Sequence, residues 1–197
     1  MPTTRPSPQP ALSTPVRRLR RAERREQLLA AATRAFARTG FAATSLDDIA
    51  QAAGISRVLL YRHFDSKTDL YRAVLDRAIG RLTTAVGTRD YTYASIDALL
   101  QAAAQDPDGF RLLFHHAARE PEFRSQMERF QRGMVATARR ELARIIPDRP
   151  WAQWAAQLAP VVAIEAVMAW LDAGQPDPDQ AADRIGQALA GVINAAQ

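Results

Sequence analysis

Residues 45–64, SLDDIAQAAGISRVLLYRHF, decide the fold. Ser45 and Asp48 have the spacing of a capping box, and Leu46, Ile49, Ala50 and Ala53 then fall on one face of a short helix. Gly54 breaks that helix, and Ser56 caps a second one from Arg57 to Phe64. Two short helices joined by so tight a turn form a helix-turn-helix when three positions keep their spacing. A small residue in the first helix lets the second approach, a glycine makes the turn, and an apolar residue anchors the second helix. Ala50, Gly54 and Leu60 meet these needs, with Ile49, Ala53 and Ile55 completing the buried side. In such a unit the second helix enters the major groove of DNA with its N-terminal residues against the base edges. Leu46, Ile49, Ala53, Leu60 and Phe64 then belong to the core rather than to the contact surface.

Outward from this unit the chain reads as helix throughout. Upstream, Leu28, Ala32, Ala35 and Phe36 repeat at helical spacing up to Gly40, which suits a left-handed helix end with Phe41 packing back on Phe36. Downstream, Ser66 and Asp69 form a second capping box before a long helix carrying Leu70, Val74, Ala78 and Leu82. Gly87 to Tyr93 reads as a loop, followed by helices over Ile96–Gln105 and Phe110–Arg119. Pro121 opens a helix with Phe123, Met127, Phe130, Met134, Ala138, Leu142 and Ile145, and Trp151–Ala173 forms another, expected to kink at Pro160. Pro178 opens a last helix with Ala181, Ile185, Ala188, Leu189 and Val192 on one face. Neither a strand pattern nor an internal repeat occurs, so the expected class is all-α, with about nine helices.

The charge is unevenly divided. Residues 1–89 carry sixteen Lys and Arg against seven Asp and Glu, and residues 90–197 carry ten against fourteen. A basic half joined to a mildly acidic half suggests one face for nucleic acid and another for something else. Residues 1–26 alone hold seven basic and two acidic groups, so charge by itself does not decide. Five prolines precede Val16, and residues 1–20 read as a disordered basic tail. The helix-turn-helix domain is expected over residues 21–66 and a second helical domain over 67–197. Without cysteine, disulfides and thiolate metal sites are excluded. No apolar run approaches the ~20 residues of a membrane span, and no signal-peptide stretch opens the chain; the expectation is a cytoplasmic protein with no membrane partner.

AAGISRVLLYRHFDSKTDL (residues 52–70), preceded by FARTGFAATSLDDIA (residues 36–50), resembles the N-terminal domain of TetR-type transcriptional regulators. The likeness runs from about Arg24 to Leu75, and Phe36, Gly40, Phe41, Thr44, Ile49, Ala50, Gly54, Ser56, Leu60, Tyr61, Phe64, Lys67 and Leu70 all fit it. It implies sequence-specific regulation of transcription from a double-stranded operator. Arg57 would then fork onto guanine O6 and N7, and Val58 and Leu59 would touch thymine methyls. Ser56 opens the same helix and is grouped with them. Tyr61 and His63 lie where the family meets phosphate or sugar. Lys67, Thr44 and Ser45 would hold phosphates at helix N-termini. The family often has glycine, alanine or proline at position 58 or 59, and Val58 and Leu59 depart from that.

For the second half, the resemblance implies an effector-binding domain whose last two helices form a four-helix bundle with a partner copy. Trp151, Trp154, Leu158, Val161, Ile185, Leu189 and Val192 supply apolar faces for such a homodimer. Phe110, Phe114, Phe130 and Met134 suit an adaptable apolar cavity, with His115 and Glu165 as polar groups; the same residues equally suit an ordinary core. The implied function is a repressor released from its operator by a small apolar ligand. His115 and His116, adjacent on a helix, point about 100° apart and do not chelate one ion. No metal, cofactor or catalytic set is therefore expected. A ligand-independent or architectural DNA-binding protein explains only the first half. A small helical enzyme is the weakest alternative, since no nucleophile–base pair, phosphate loop or metal cluster appears.

Overall fold

The computed structural model describes residues 21–87 and 93–197; the expected disordered tail, residues 1–20, and residues 88–92 of the expected loop lie outside them. Among the described residues nine α-helices follow one another: α1 Arg21–Ala43, α2 Leu46–Ala52, α3 Arg57–Tyr61, α4 Lys67–Val86, α5 Tyr93–Gln105, α6 Pro107–Arg111, α7 Arg124–Leu142, α8 Arg149–Asp172 and α9 Pro178–Asn194. No strand occurs among them.

Local chemistry sets most of these boundaries. Leu28, Ala32, Ala35 and Phe36 form the buried stripe of α1, and the helix breaks at Gly40 (φ 78°, ψ 172°) before a last turn to Ala43. Ser66 Oγ accepts from Asp69 N at 3.0 Å and starts α4. α3 ends at Tyr61, three residues short of the expected Phe64, and the His63 and Phe64 amides close a turn onto Leu60 O at 2.9 and 3.1 Å. The single helix expected over Phe110–Arg119 is replaced by α6, a π turn Leu112–His116 and a 3₁₀ turn Ala117–Arg119. It begins early because Pro107 occupies the first turn and Asp106 Oδ1 accepts from Gly109 N at 3.0 Å. α8 runs through Pro160 as one helix.

One apolar core runs without a gap from Phe36 of α1, Ile49 of α2 and Leu60 of α3, through Val74 of α4, to Leu113, Val167 and Ile185. No break in packing therefore falls at the boundary expected between residues 66 and 67. At its middle the Tyr71 ring lies 4.8 Å from Phe36, 5.0 Å from Phe41 and 4.4 Å from Phe123, centroid to centroid. Arg77 of α4 bonds Glu26 of α1 at 2.7 Å and Asp106 at 3.2 Å, tying α1 and the start of α6 to α4. A smaller core joins α7, α8 and the C-terminus through Leu142, Ile146, Ala155, Ala156 and Ala196. By length and composition alone, α8 is long and apolar enough to cross a membrane, with a mean hydropathy of 1.5 over an 18-residue window. Its apolarity serves two faces instead. One, with Ala155, Ala156, Val167, Met168 and Leu171, is buried in the protomer; the other presents Trp151, Trp154 and Val161 to the outside.

Candidate nucleic-acid interface and ligand cavity

The α2–α3 unit is built as its spacing implies. Ser45 Oγ accepts from Asp48 N at 3.1 Å while Asp48 Oδ2 accepts from Ser45 N at 3.1 Å, a reciprocal cap. The Ser45 hydroxyl, donating to Asp48 Oδ2 at 2.6 Å, and then the Ser45 amide hold the Asp48 carboxyl below its ordinary pKa. At the other end, the Gly54 and Ile55 amides close α2 onto Gln51 O and Ala50 O, each at 3.0 Å. Gly54 takes φ +65°. Ile49, Ala50 and Leu60 are buried between the helices. The opposite face of α3 is open: Ser56 and Arg57 are exposed, Val58 is 68% exposed and Tyr61 43%, with Leu59 half-buried at the edge. Arg57 Nη1 donates to Asp47 Oδ2 at 2.9 Å and Nη2 to Tyr61 Oη at 3.4 Å, so the guanidinium is held across the start of the helix. His63 is half-buried, and burial first, then Arg21, Arg25 and Arg24, lower its pKa. It is a neutral hydrogen-bonding ring at pH 7.

Three of the expected phosphate contacts have other occupations. Thr44 is only 3% exposed. Its hydroxyl lies 2.6 Å from Gly40 O and 2.7 Å from Thr39 Oγ1, where it ties off the end of α1. The Ser45 hydroxyl, though exposed, lies 2.6 Å from Asp48 Oδ2 within the cap. Lys67 folds back over the Phe41 ring, 4.5 Å from its centroid. Its ammonium donates to Phe41 O at 2.9 Å, Thr44 O at 3.2 Å and Ala42 O at 3.3 Å. An ammonium has three protons, and all are accounted for by carbonyls at the α1–α2 junction. In this state Lys67 clamps the α1–α2 junction rather than extending toward a backbone phosphate.

The second half holds a partly open cavity of about 380 Å³. Its wall is supplied by Leu82, Thr83 and Val86 of α4, Leu99 of α5, Phe114 of the π turn, Phe130 and Met134 of α7, Pro160 and Ile164 of α8, and Leu189 of α9. Three expected pocket residues, Phe114, Phe130 and Met134, thus come together there. Phe110 does not line it; it is buried behind, with its ring 4.8 Å from that of Phe114. Neither His115 nor Glu165 lies on this wall. Glu165 is exposed and borders a neighbouring groove, because its position on α8 turns away from the cavity. The carboxylate that does line the cavity is Glu141 of α7, which sequence reasoning missed. Its signal was its place on the helical face of Met134 and Ala138.

Of the residues expected at a dimer seam, Trp151, Trp154 and Val161 are exposed on one face of α8, with Leu158 half-buried among them. The two indoles stack edge to face at 5.5 Å. Ile185 is buried in the main core and is therefore an internal residue. Leu189 is half-buried on the cavity wall, and half-buried Val192 packs on the smaller core.

Residues 28–74 match the family model described as bacterial regulatory proteins, tetR family. The transcriptional activator FasR of Mycolicibacterium smegmatis is 38% identical over 120 residues, covering 56% of this chain and 55% of the relative. The repressor KstR2 of Rhodococcus jostii is 37% identical over 89 residues, covering 43% and 44%. The regulator TtgR of Pseudomonas putida is 48% identical over 54 residues, covering 27% and 26%. The chain thus matches about half the length, or less, of these curated relatives. A TetR-like transcriptional regulator from Rhodococcus sp. RHA1 superposes with a TM-score of 0.77 at 24% identity, covering 91% of this chain and 100% of that one. A regulator from Streptomyces coelicolor does so at 0.69 and 21%, covering 90% and 83%. At these identities the structural likeness concerns the fold.

Proposed function

Because the chain belongs to the TetR family of bacterial regulatory proteins, we propose that it binds a palindromic operator as a homodimer and represses transcription in the cytoplasm until a small, largely apolar molecule fills the cavity. The observation that carries the first part is the two-sided α3: Leu60 locks one side into the core while Arg57, Val58 and Tyr61 are exposed on the other. That is the arrangement a major-groove reader requires. The dimer is supported by Trp151, Trp154 and Val161, a large apolar surface exposed along one helix. Two recognition helices related by a two-fold axis then read two half-sites.

Release by ligand follows from α4. Its C-terminal turns, through Leu82, Thr83 and Val86, are cavity wall, and its first residue, Lys67, clamps the carbonyls just before α2. A ligand that prefers a shifted α4 draws the population away from the DNA-binding conformer, and about 1–3 kcal/mol of such coupling is typical. Anisotropy with DNA flanking the coding region, set against random DNA, tests the reading: equal affinity for both would leave an architectural protein. Calorimetry with the apolar probe decanol, with and without operator, tests the coupling, because equal affinities in the two states exclude release by equilibrium linkage. The named relatives include an activator and a repressor. A reporter fused to the bound promoter decides between the two, and repression requires that its output rise when this chain is deleted.

A further inference from the structure

We infer that the cavity selects a largely apolar molecule carrying a cationic amine, with the Glu141 carboxylate as its anchor. This rests on the cavity being the effector site. Glu141 sits in the last turn of α7 with its side chain 16% exposed, whereas its partner Arg144 is 66% exposed. The pair therefore faces two ways, cation toward solvent and carboxylate toward the interior. Arg144 Nη1 donates to Glu141 Oε2 at 2.6 Å. Glu141 Oε1 is buried and has no hydrogen-bond partner. A buried carboxylate oxygen left unbonded is costly, and native structures leave few such atoms without a reason.

Among the described residues no donor lies within hydrogen-bond reach of Oε1. Beside Glu141 the wall is made of Met134, Ala138, Leu142, Pro160 and Ile193. The α4 hydroxyl on the wall, that of Thr83, spends its proton on Ile79 O at 2.8 Å and Gly80 O at 3.1 Å and so presents only lone pairs. Apart from Glu141, the polar side chains on the wall are the hydroxyls of Thr83 and Ser95, and the rest is apolar. Oε1 is covered in the empty cavity, so a ligand ammonium reaches it once the Glu141 side chain turns toward the wall, and then supplies both the missing donor and a charge opposite to that of the carboxylate. Charge-assisted bonds of this kind are roughly twice as strong as neutral ones and gain further in a poorly hydrated site. A ligand carboxylate, by contrast, would bring like charge and no donor.

Decylamine, decanol and decanoate share one apolar chain and differ in the head group, so titration of the full-length protein with each below micellar concentration isolates the anchor. Decylamine, protonated at neutral pH, is expected to bind about tenfold more tightly than either of the others. The substitution Glu141→Gln should erase that preference while leaving decanol binding in place, which also shows that the variant is folded. If decanol or decanoate binds as well as the amine, or if the amine preference survives Glu141→Gln, the anchor is overturned while the cavity remains an apolar site. If none of the three binds, both this inference and the effector reading of the cavity fall. Should Glu141→Gln not fold, Arg144→Gln decides instead. Removing the competing guanidinium should raise decylamine affinity several-fold, and an unchanged affinity counts against Glu141.

Discussion

Arg57 begins with its guanidinium shared between Asp47 at 2.9 Å and Tyr61 at 3.4 Å, and it must leave both to fork onto a guanine. The exchange is feasible because every partner is exposed, where such pairs contribute little. Arg57→Ala should cost about 1–3 kcal/mol of operator affinity and relax the preference at one base position, as read by anisotropy on operator variants. Equal weakening on all DNA would mean that the guanidinium meets only phosphates. Lys67 differs in kind, since its three donors are satisfied inside the protein. Replacing it with Met should lower folding stability by about 1.5–3 kcal/mol in urea, the range for hydrogen bonds to a charged group. The salt dependence of DNA binding should keep its slope; a slope reduced by about one would reveal a phosphate contact formed only on DNA.

In the α2–α3 unit one backbone position calls for glycine. Gly54 sits at φ +65°, and a Cβ there would have nothing within 4 Å. Gly54→Ala therefore meets no steric obstacle, and its cost is that of a left-handed residue alone, about 1–2 kcal/mol. Urea denaturation measures it, and an unchanged midpoint would show that the turn relaxes to another conformation. The stretch from α6 through the π and 3₁₀ turns behaves differently. Its short, differently wound pieces bury Phe110, Leu112, Leu113 and Ala117 while turning Phe114 to the cavity. A regular helix over the same residues was expected from their apolar spacing. The tertiary requirement to serve two surfaces displaced it.

Across the whole molecule, Tyr71 joins the helix-turn-helix end to the rest. Its ring is fully buried, its hydroxyl has no partner, and burial pushes the phenol pKa far above its usual value. Tyr71→Phe keeps the aromatic contacts and removes an orphaned polar group. It should raise the thermal midpoint by an amount equivalent to about 1 kcal/mol, and a fall would reveal a hydroxyl partner formed in solution. The outer face of α8 tests assembly. Trp154 is 41% exposed in the protomer, so Trp154→Asp should spare the fold yet bury an unpaired charge in a dimer seam at a cost of several kcal/mol. Sedimentation should then find monomers with weakened operator affinity. A stable dimer would move the interface off this face. Leu189 makes a poorer test position, because it also lines the cavity.

The sequence by itself determined the all-helical class, the α2–turn–α3 unit, and the caps at Ser45, Ser56 and Ser66, because these depend on forces acting within one or two helical turns. The exposed Arg57, Val58 and Tyr61 were legible for the same reason: once Leu60 anchors the helix, its rotation is set. Only the tertiary structure decided where long or ambiguous side chains end. Lys67 found carbonyls 23 to 26 residues away, and Thr44 was sealed by the end of α1. Ile185 went to the core, and Glu141 rather than Glu165 came to the cavity wall. Periodicity says which residues share a face, but the rotation and crossing of each helix against its neighbours decide what that face meets.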